Sequence, residues 1–250
     1  MSITAAELKT YGSANMPEDD TSTSGGAIDT ATKVEFTDIS APDTVNLVSS
    51  AAGDTTQLVT ITGRDNTGAI VSGSATLNGT TPVTVTPGGA GTFERILKIV
   101  MGATAVGTVT ATKTTGGATI ATLEPGITKV RRLFYDSFST ASPTTRYEKI
   151  FWKNTDGSLT LTNAVIQLFA DPSSKLLLGL ATAKNDSGSV ANRLTAPGGV
   201  TFVGVGVNQS VPGTTLEAGA VIGTWIELSL LANDSPLKST GTTQLQGNSV

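Results

Sequence analysis

From Lys33 the chain alternates apolar and polar residues with a period of two, in short runs separated by turn residues. "KVEFTDI", "DTVNLVSS", "TTQLVTITGRD", "AIVSGSATLNG", "TPVTVTP" and "GTFERILKIVM" each read as a strand, and "VGTVTATKTTGGATIATLEP" reads as a hairpin over Gly116-Gly117. The Asn-Thr-Gly of "GRDNTGA" and the "NGTT" after Leu77 supply further turns. Seven or eight short strands in about 90 residues have the size and spacing of an Ig-like sandwich, without the Cys-Trp-Cys core of antibody domains.

Pro125-Gly126 breaks the pattern, and longer strands follow: "KVRRLFYDSF", "RYEKIFWKNT", "LTLTNAVIQLFAD", "KLLLGLATAK", "VTFVGVGV" and "TWIELSLLAN". Most large side chains lie here, among them Phe134, Tyr135, Phe138, Tyr147, Phe151, Trp152, Phe169, Phe202 and Trp225. Asp156-Gly157 reads as a hairpin turn, and the switch of face near Asn163 predicts a bulge. Before Lys33 the period is absent. "ITAAELKTYG" allows a helical turn or two with Ile3, Leu8 and Tyr11 on one side, and the polar stretch that follows has no strand alternation. The expected organisation is therefore all-β. An extended N-terminal arm (1–32) precedes an Ig-like β-sandwich (33–125) and a second β-sandwich or jelly-roll-like domain (126–236). A polar tail (237–250) then frays or pairs weakly at an edge.

Composition sharpens this picture. Forty-three threonines and 28 glycines fit pleated surfaces and tight turns. Only 5 % of residues are aromatic, so the cores must be built from Val, Ile, Leu and Ala, and would be thin enough to gain from burial in a partner. A net charge of −4 argues against a general nucleic-acid binder. No run of about 18 apolar residues offers a membrane-spanning helix. The first residues lack a signal-peptide pattern, so synthesis in the cytosol without exit by a standard signal is expected.

The absence of both histidine and cysteine removes Ser/His and Cys/His nucleophiles, soft-ligand metal sites and disulfides. Paired carboxylates remain for glycoside chemistry, with Asp136, Glu148, Asp156, Asp171, Asp186, Glu217 and Glu227 as candidates. Most sit at turns or strand ends, where solvated acids are ordinary. "PEDD" and "DNTG" lack the spaced oxygens of a calcium loop, and "GVGVNQS" lacks the lysine and helix of a phosphate loop. No enzyme activity, cofactor or metal is expected.

One charge cluster stands out. Lys129, Arg131, Arg132, Arg146, Lys149 and Lys153, against Asp136 and Glu148, make 129–153 net +4. Residues 1–32 carry five acids, Glu18, Asp19 and Asp20 consecutively, against Lys9 alone. Strand alternation puts Lys149 and Lys153 on the side of Phe151, opposite Glu148, Ile150 and Trp152. The cluster reads either as a solvated face or as a docking surface for an acidic neighbour, possibly the acidic arm of another copy. The aromatics around "EKIFWKNTDGSLTLTNAVIQLF" read as core, as a subunit seam, or as a small-ligand site.

The segments "FWKNTDGSLTLTNAVIQLFADPS" and "GTTLEAGAVIGTWIELSLLAN" resemble minor virion structural proteins encoded among the head and tail genes of tailed bacteriophages. The Lys-Asn-Thr turn, the "LTLTNA" strand and the late "aGxxIGxWI" strand carry the likeness over about residues 145–233, and "YGSANMPEDDTSTSGGAIDT" looks like the opening of such proteins. The resemblance implies a virion component with no reactive site. Asn154 and Gly157 would serve a turn, Asn163 a bulge, and Gly223 and Trp225 a core strand. It further implies a capsid decoration or minor capsid protein bound to the major capsid protein, a trimer by preference, with the arm stapling neighbours and no direct nucleic-acid or membrane contact. A tail, neck or baseplate component is the alternative, and a host-glycan adhesion module a third.

Overall fold

Alternating side chains on short threonine-rich segments give strands almost throughout the computed structural model, which describes residues 2–135, 141–234 and 239–250. Asp136 and Phe138, and the expected boundary at residue 236, lie outside these residues. The chain is all-β and sandwich-like. It divides into two units, one of residues 1–29 with 134–250 and the other of residues 30–133.

The first segment holds β1 (Leu8–Ser13), β2 (Ser24–Gly25) and β3 (Ile28–Asp29). The middle of the chain gives β4 (Thr32–Lys33), β5 (Val45–Ser49), β6 (Leu58–Arg64), β7 (Ile70–Thr76), β8 (Val83–Val85), β9 (Arg95–Met101), β10 (Val109–Lys113), β11 (Thr119–Leu123) and β12 (Lys129–Arg131). The last part gives β13 (Thr144–Asn154), β14 (Leu161–Ala170), β15 (Leu176–Lys184), β16 (Ser189–Val190), β17 (Gln209–Ser210), β18 (Thr215–Leu216), β19 (Val221–Leu230) and β20 (Thr242–Ser249).

In the middle unit one sheet runs β11-β10-β5-β8 and the other β4-β12-β9-β6-β7. β5, β6, β9 and β10 bury alternate residues: Val45 and Leu47, Val59 and Ile61, Ile99 and Met101, Val109 and Ala111. The hairpins over Gly68 and Gly116-Gly117 form as the turn residues predict, all three glycines having positive φ. "KVEFTDI" does not form the expected strand. Only Thr32–Lys33 pairs, in parallel with β12, and the rest is irregular. Pro125-Gly126 is not a boundary either. Ile127 N–H donates to Glu124 O across that turn, and the chain returns as β12 beside β9.

Asp54 is the polar organiser of this unit. It is fully buried and accepts from the Ser49 hydroxyl at 2.5 Å and from Val106 and Gly107 N–H at 2.9 and 3.0 Å. The Ser49 bond, then the two amide bonds, hold its carboxyl below its usual value of 3.8. A depressed folded-state pKa means stability that is complete above that usual value and lost as pH falls through the folded one. Acid titration of unfolding should therefore show a loss below pH 3.8. Asp54→Asn should flatten that part of the profile while lowering stability at neutral pH.

In the other unit a five-stranded sheet runs β15-β19-β13-β1-β3. A second sheet is centred on β14, with β17 and β18 along one side and β20 along the other, and β16 pairs with β2. Ile150, Ile222, Ile226 and Leu178 are buried on the first sheet, and Leu161, Ile166, Leu168 and Leu245 on the second. Asp156-Gly157 is not a hairpin turn, because β13 and β14 belong to different sheets and Gly157 does not take a positive φ. The connection is built by Asn154, which is fully buried. Its Nδ2 donates to Leu159 O at 2.9 Å and Leu216 O at 3.0 Å, and its Oδ1 accepts from Asp156 N–H at 3.0 Å. The bulge near Asn163 is present. The β14–β20 register slips between Thr162 and Val165, and Asn163 has φ +51°. "VTFVGVGV" forms no strand beyond a bridge of Val203 to Leu178. Asn154→Ala takes away a donor from the buried Leu216 carbonyl and from the half-buried Leu159 carbonyl, and the acceptor of the Asp156 amide. It should cost about 3 kcal/mol in urea unfolding, well beyond the cost of an exposed Asn→Ala change.

Candidate functional site: the charged row of β13

β13 is a central strand that carries Arg146, Glu148 and Lys149 among Tyr147, Ile150 and Phe151. All six are buried. A strand flanked on both edges and covered on both faces leaves no route for these charges to reach water. Each must be neutralised locally.

The backbone explains how partners arrive. β19 pairs with β13 over Thr144–Lys153, but β1 pairs only with its Ile150–Asn154 half. On the uncovered half, loop segments supply the bonds: Tyr147 N–H donates to Arg193 O at 2.8 Å, and Phe134 N–H donates to the Glu148 carboxylate at 2.9 Å. These segments also bring countercharges. Glu148 pairs with Arg193, both almost wholly inaccessible. Arg146 pairs with Asp20, its Nε 3.0 Å from both carboxylate oxygens.

Lys149 has the most complete surroundings. Its Nζ donates to Asp186 Oδ2 at 2.5 Å, Gly188 O at 2.9 Å and Gly26 O at 3.1 Å, which uses all three ammonium protons. The ammonium lies 4.9 Å from the Phe151 ring centroid and 5.5 Å from that of Trp225. Burial pushes its pKa down, and Asp186 pulls the other way. Burial alone would raise the Asp186 carboxyl. The hydrogen bonds from Lys149 and Gly188 N–H outweigh it and hold that carboxyl below its usual value. A depression of about 100 Å³ lies beside this group, lined by Asp186, Gly188, Val190, Val200 and Trp225 among others.

The partners of the row thus include Asp20 and Gly26, from the segment expected to be a free arm. Residues 8–29 are instead part of this unit. β1 and β3 extend its sheet, Ser13 Oγ donates to Lys149 O at 2.8 Å, and Gly26 N–H donates to Gly188 O at 3.0 Å. Gly25 is required where it sits. Its φ is +91°, and a Cβ there would lie 2.8 Å from Trp225 Cη2. At the start, the Ala5–Glu7 turn is capped by Thr4, whose N–H and hydroxyl donate to the Glu7 carboxylate. A single 3₁₀ turn replaces the expected helical stretch, and the chain then goes straight into β1.

No protein-family model, no curated protein and no solved structure matches the chain.

The six bases read as a solvated face or a docking surface, and the acids Glu18, Asp19 and Asp20 of the expected arm, are distributed differently. Arg131, Arg132, Arg146 and Lys149 are buried. Arg132 and Arg131 lie in the middle unit, where Arg132 pairs with Asp38 and donates from Nε to Ile96 O. Burial draws Arg132 down to about 10, against the pull of Asp38. Lys129 and Lys153 are half-buried, Asp20 is held by Arg146, and Glu18 and Asp19 are exposed. The acidic segment does meet a base of the 129–153 cluster, but within one chain, where Asp20 pairs with Arg146. The aromatic cluster is interior: Phe151 and Trp225 are buried, and Tyr147 packs at 5.5 Å from Phe202. Phe169 stands apart at 56 % exposure.

Asp186 and Arg193 were not legible as partners. The available signal was the strand itself: three charges among large apolar residues on both of its faces mean burial, and burial demands countercharges from elsewhere. Lys149→Met keeps the stem and removes the ammonium, leaving Asp186 without its countercharge and the Gly26 and Gly188 carbonyls without the ammonium donor. It should destabilise this unit by about 3–5 kcal/mol in urea unfolding. Limited proteolysis should then cut first within residues 13–29, a segment that resists in the parent protein.

Proposed function

We propose that the chain is a structural component of a tailed-bacteriophage virion, a capsid decoration or minor capsid protein that seats on the major capsid lattice and helps hold the head together. The observation that carries this reading is where the resembling segments fall. "FWKNTDGSLTLTNAVIQLFADPS" supplies the end of β13, the Asn154 connection and all of β14, and "GTTLEAGAVIGTWIELSLLAN" supplies β18 and β19. The likeness therefore lies in the frame of the two sheets, the part a virion scaffold would retain.

The mode of action changes from the one the sequence implied. A loose leading segment stapling neighbours has no place in this reading, because residues 8–29 supply β1, β2, β3 and the Asp20 countercharge to their own unit. Attachment falls instead to the pleated outer faces and loops, including exposed Phe169, Val205 and Val207. Such contacts gain strength by repetition over a lattice.

The copy number in purified virions tests the reading. A lattice-scale number, together with rebinding of added protein to particles that lack it, is the expected result. A number on the scale of a single ring would move the protein to the tail, neck or baseplate, and absence from purified particles would overturn the proposal.

A further inference from the structure

β20 is an outer strand with an unprotected edge. It pairs with β14 over Thr242–Ser249, and its other side forms no backbone hydrogen bond among the described residues. Which groups face outward follows from three observations. Thr160 and Val250 exchange both N–H···O bonds at 3.0 Å, so even-numbered residues of β20 point toward β14. Leu168 O accepts from Gly206 and Ala164 O from Val211, so those β14 residues point away from β20, including Leu168 opposite Thr243. Both lines agree that Thr243, Leu245, Gly247 and Ser249 direct N–H and C=O outward.

Natural edges of this length are blunted by charge, proline or a bulge in the strand itself. "TGTTQLQGNSV", residues 240–250, has no charged side chain and no proline, and the register slips of this pair both fall in β14. The edge is also self-complementary. Antiparallel pairing about a two-fold axis at Leu245 sets Leu245 against Leu245, and Thr243 against Gly247 twice. Every residue of these hydrogen-bonded pairs then belongs to the outward-pointing set. The same register places Gln244 opposite Gln246 and Thr242 opposite Asn248, at the closer non-hydrogen-bonded spacing. Gln246 Nε2 already donates to Gln244 Oε1 within one chain at 2.7 Å, so a second copy extends an existing amide ladder.

We infer that β20 is a self-association edge, which joins two copies of this chain through an antiparallel β20–β20 pair and continues the β14 sheet across a two-fold axis. This names a two-fold partner where the sequence implied a three-fold one. It does not depend on the virion reading, because it rests on edge geometry alone.

The test is the solution mass of the full chain by light scattering, read with amide exchange along β20. Two chains per particle are expected. Amides of Thr243, Leu245 and Gly247 should gain protection as concentration rises, while those of Gln244 and Gln246 are protected throughout by β14. Thr243→Pro removes one outward donor, and Gln246→Lys charges the exposed ladder. Each should return the mass to one chain with an unchanged melting temperature at low concentration. A monomer at every accessible concentration, a dimer indifferent to both variants, or odd-numbered amides protected in a monomer would each overturn the inference.

Discussion

Three charges on a buried strand set the terms for the unit that contains them. Arg146, Glu148 and Lys149 lie on both faces of β13, between a strand that covers its whole length and one that covers half. An unpaired charge at any of these positions would cost several kcal/mol, a large fraction of a domain's total stability. The fold answers with Asp20 from the N-terminal segment and with Asp186 and Arg193 from the connections on either side of β16. Those loops are held because the charges need them, and the charges are tolerable because the loops come. Chain segments with little apolar content of their own are thereby fixed without a large core.

The N-terminal segment gains most from this arrangement. Its polar, acidic stretch has no hydrophobic pattern to fold upon and would remain extended as an isolated peptide. Beside β13 it finds an arginine for Asp20, an ammonium for the Gly26 carbonyl and a short ladder to β16. Gly25 admits the close approach to Trp225 that lets this ladder form. The middle unit follows a simpler logic: alternating aliphatic residues fill it, and Asp54 ties the β5–β6 connection to the β9–β10 connection by accepting hydrogen bonds rather than by pairing charges.

Much of this was legible in local pattern. Period-two runs gave the strands around Leu47, Ile61, Ile99, Ile166 and Ile226, and the face switch at Asn163 gave the bulge. The polar tail was expected to fray or to pair weakly at an edge, and it instead forms the eight-residue strand β20, paired along its length with β14. What failed was non-local. Asp156-Gly157 looked like a hairpin because turn residues do not say which sheet the next strand joins. "KVEFTDI" alternates well, yet only its first residue pairs. The basic cluster looked like a surface because charge is usually solvated. Only the large apolar neighbours of Lys149 on its own strand, Phe151 and Tyr147, signalled otherwise.

The central claim is that residues 8–29 are a permanent part of the unit built on β13, ordered within one chain. Native-state hydrogen exchange of the isolated wild-type protein, at a dilution where only single chains exist, tests it most directly. The account predicts that amides in Leu8–Ser13 and around Gly26 exchange as slowly as those of Leu161–Ala170, through the same cooperative opening. Exchange of the first 29 residues at the rate of an unstructured peptide, with β14 still protected, would contradict it.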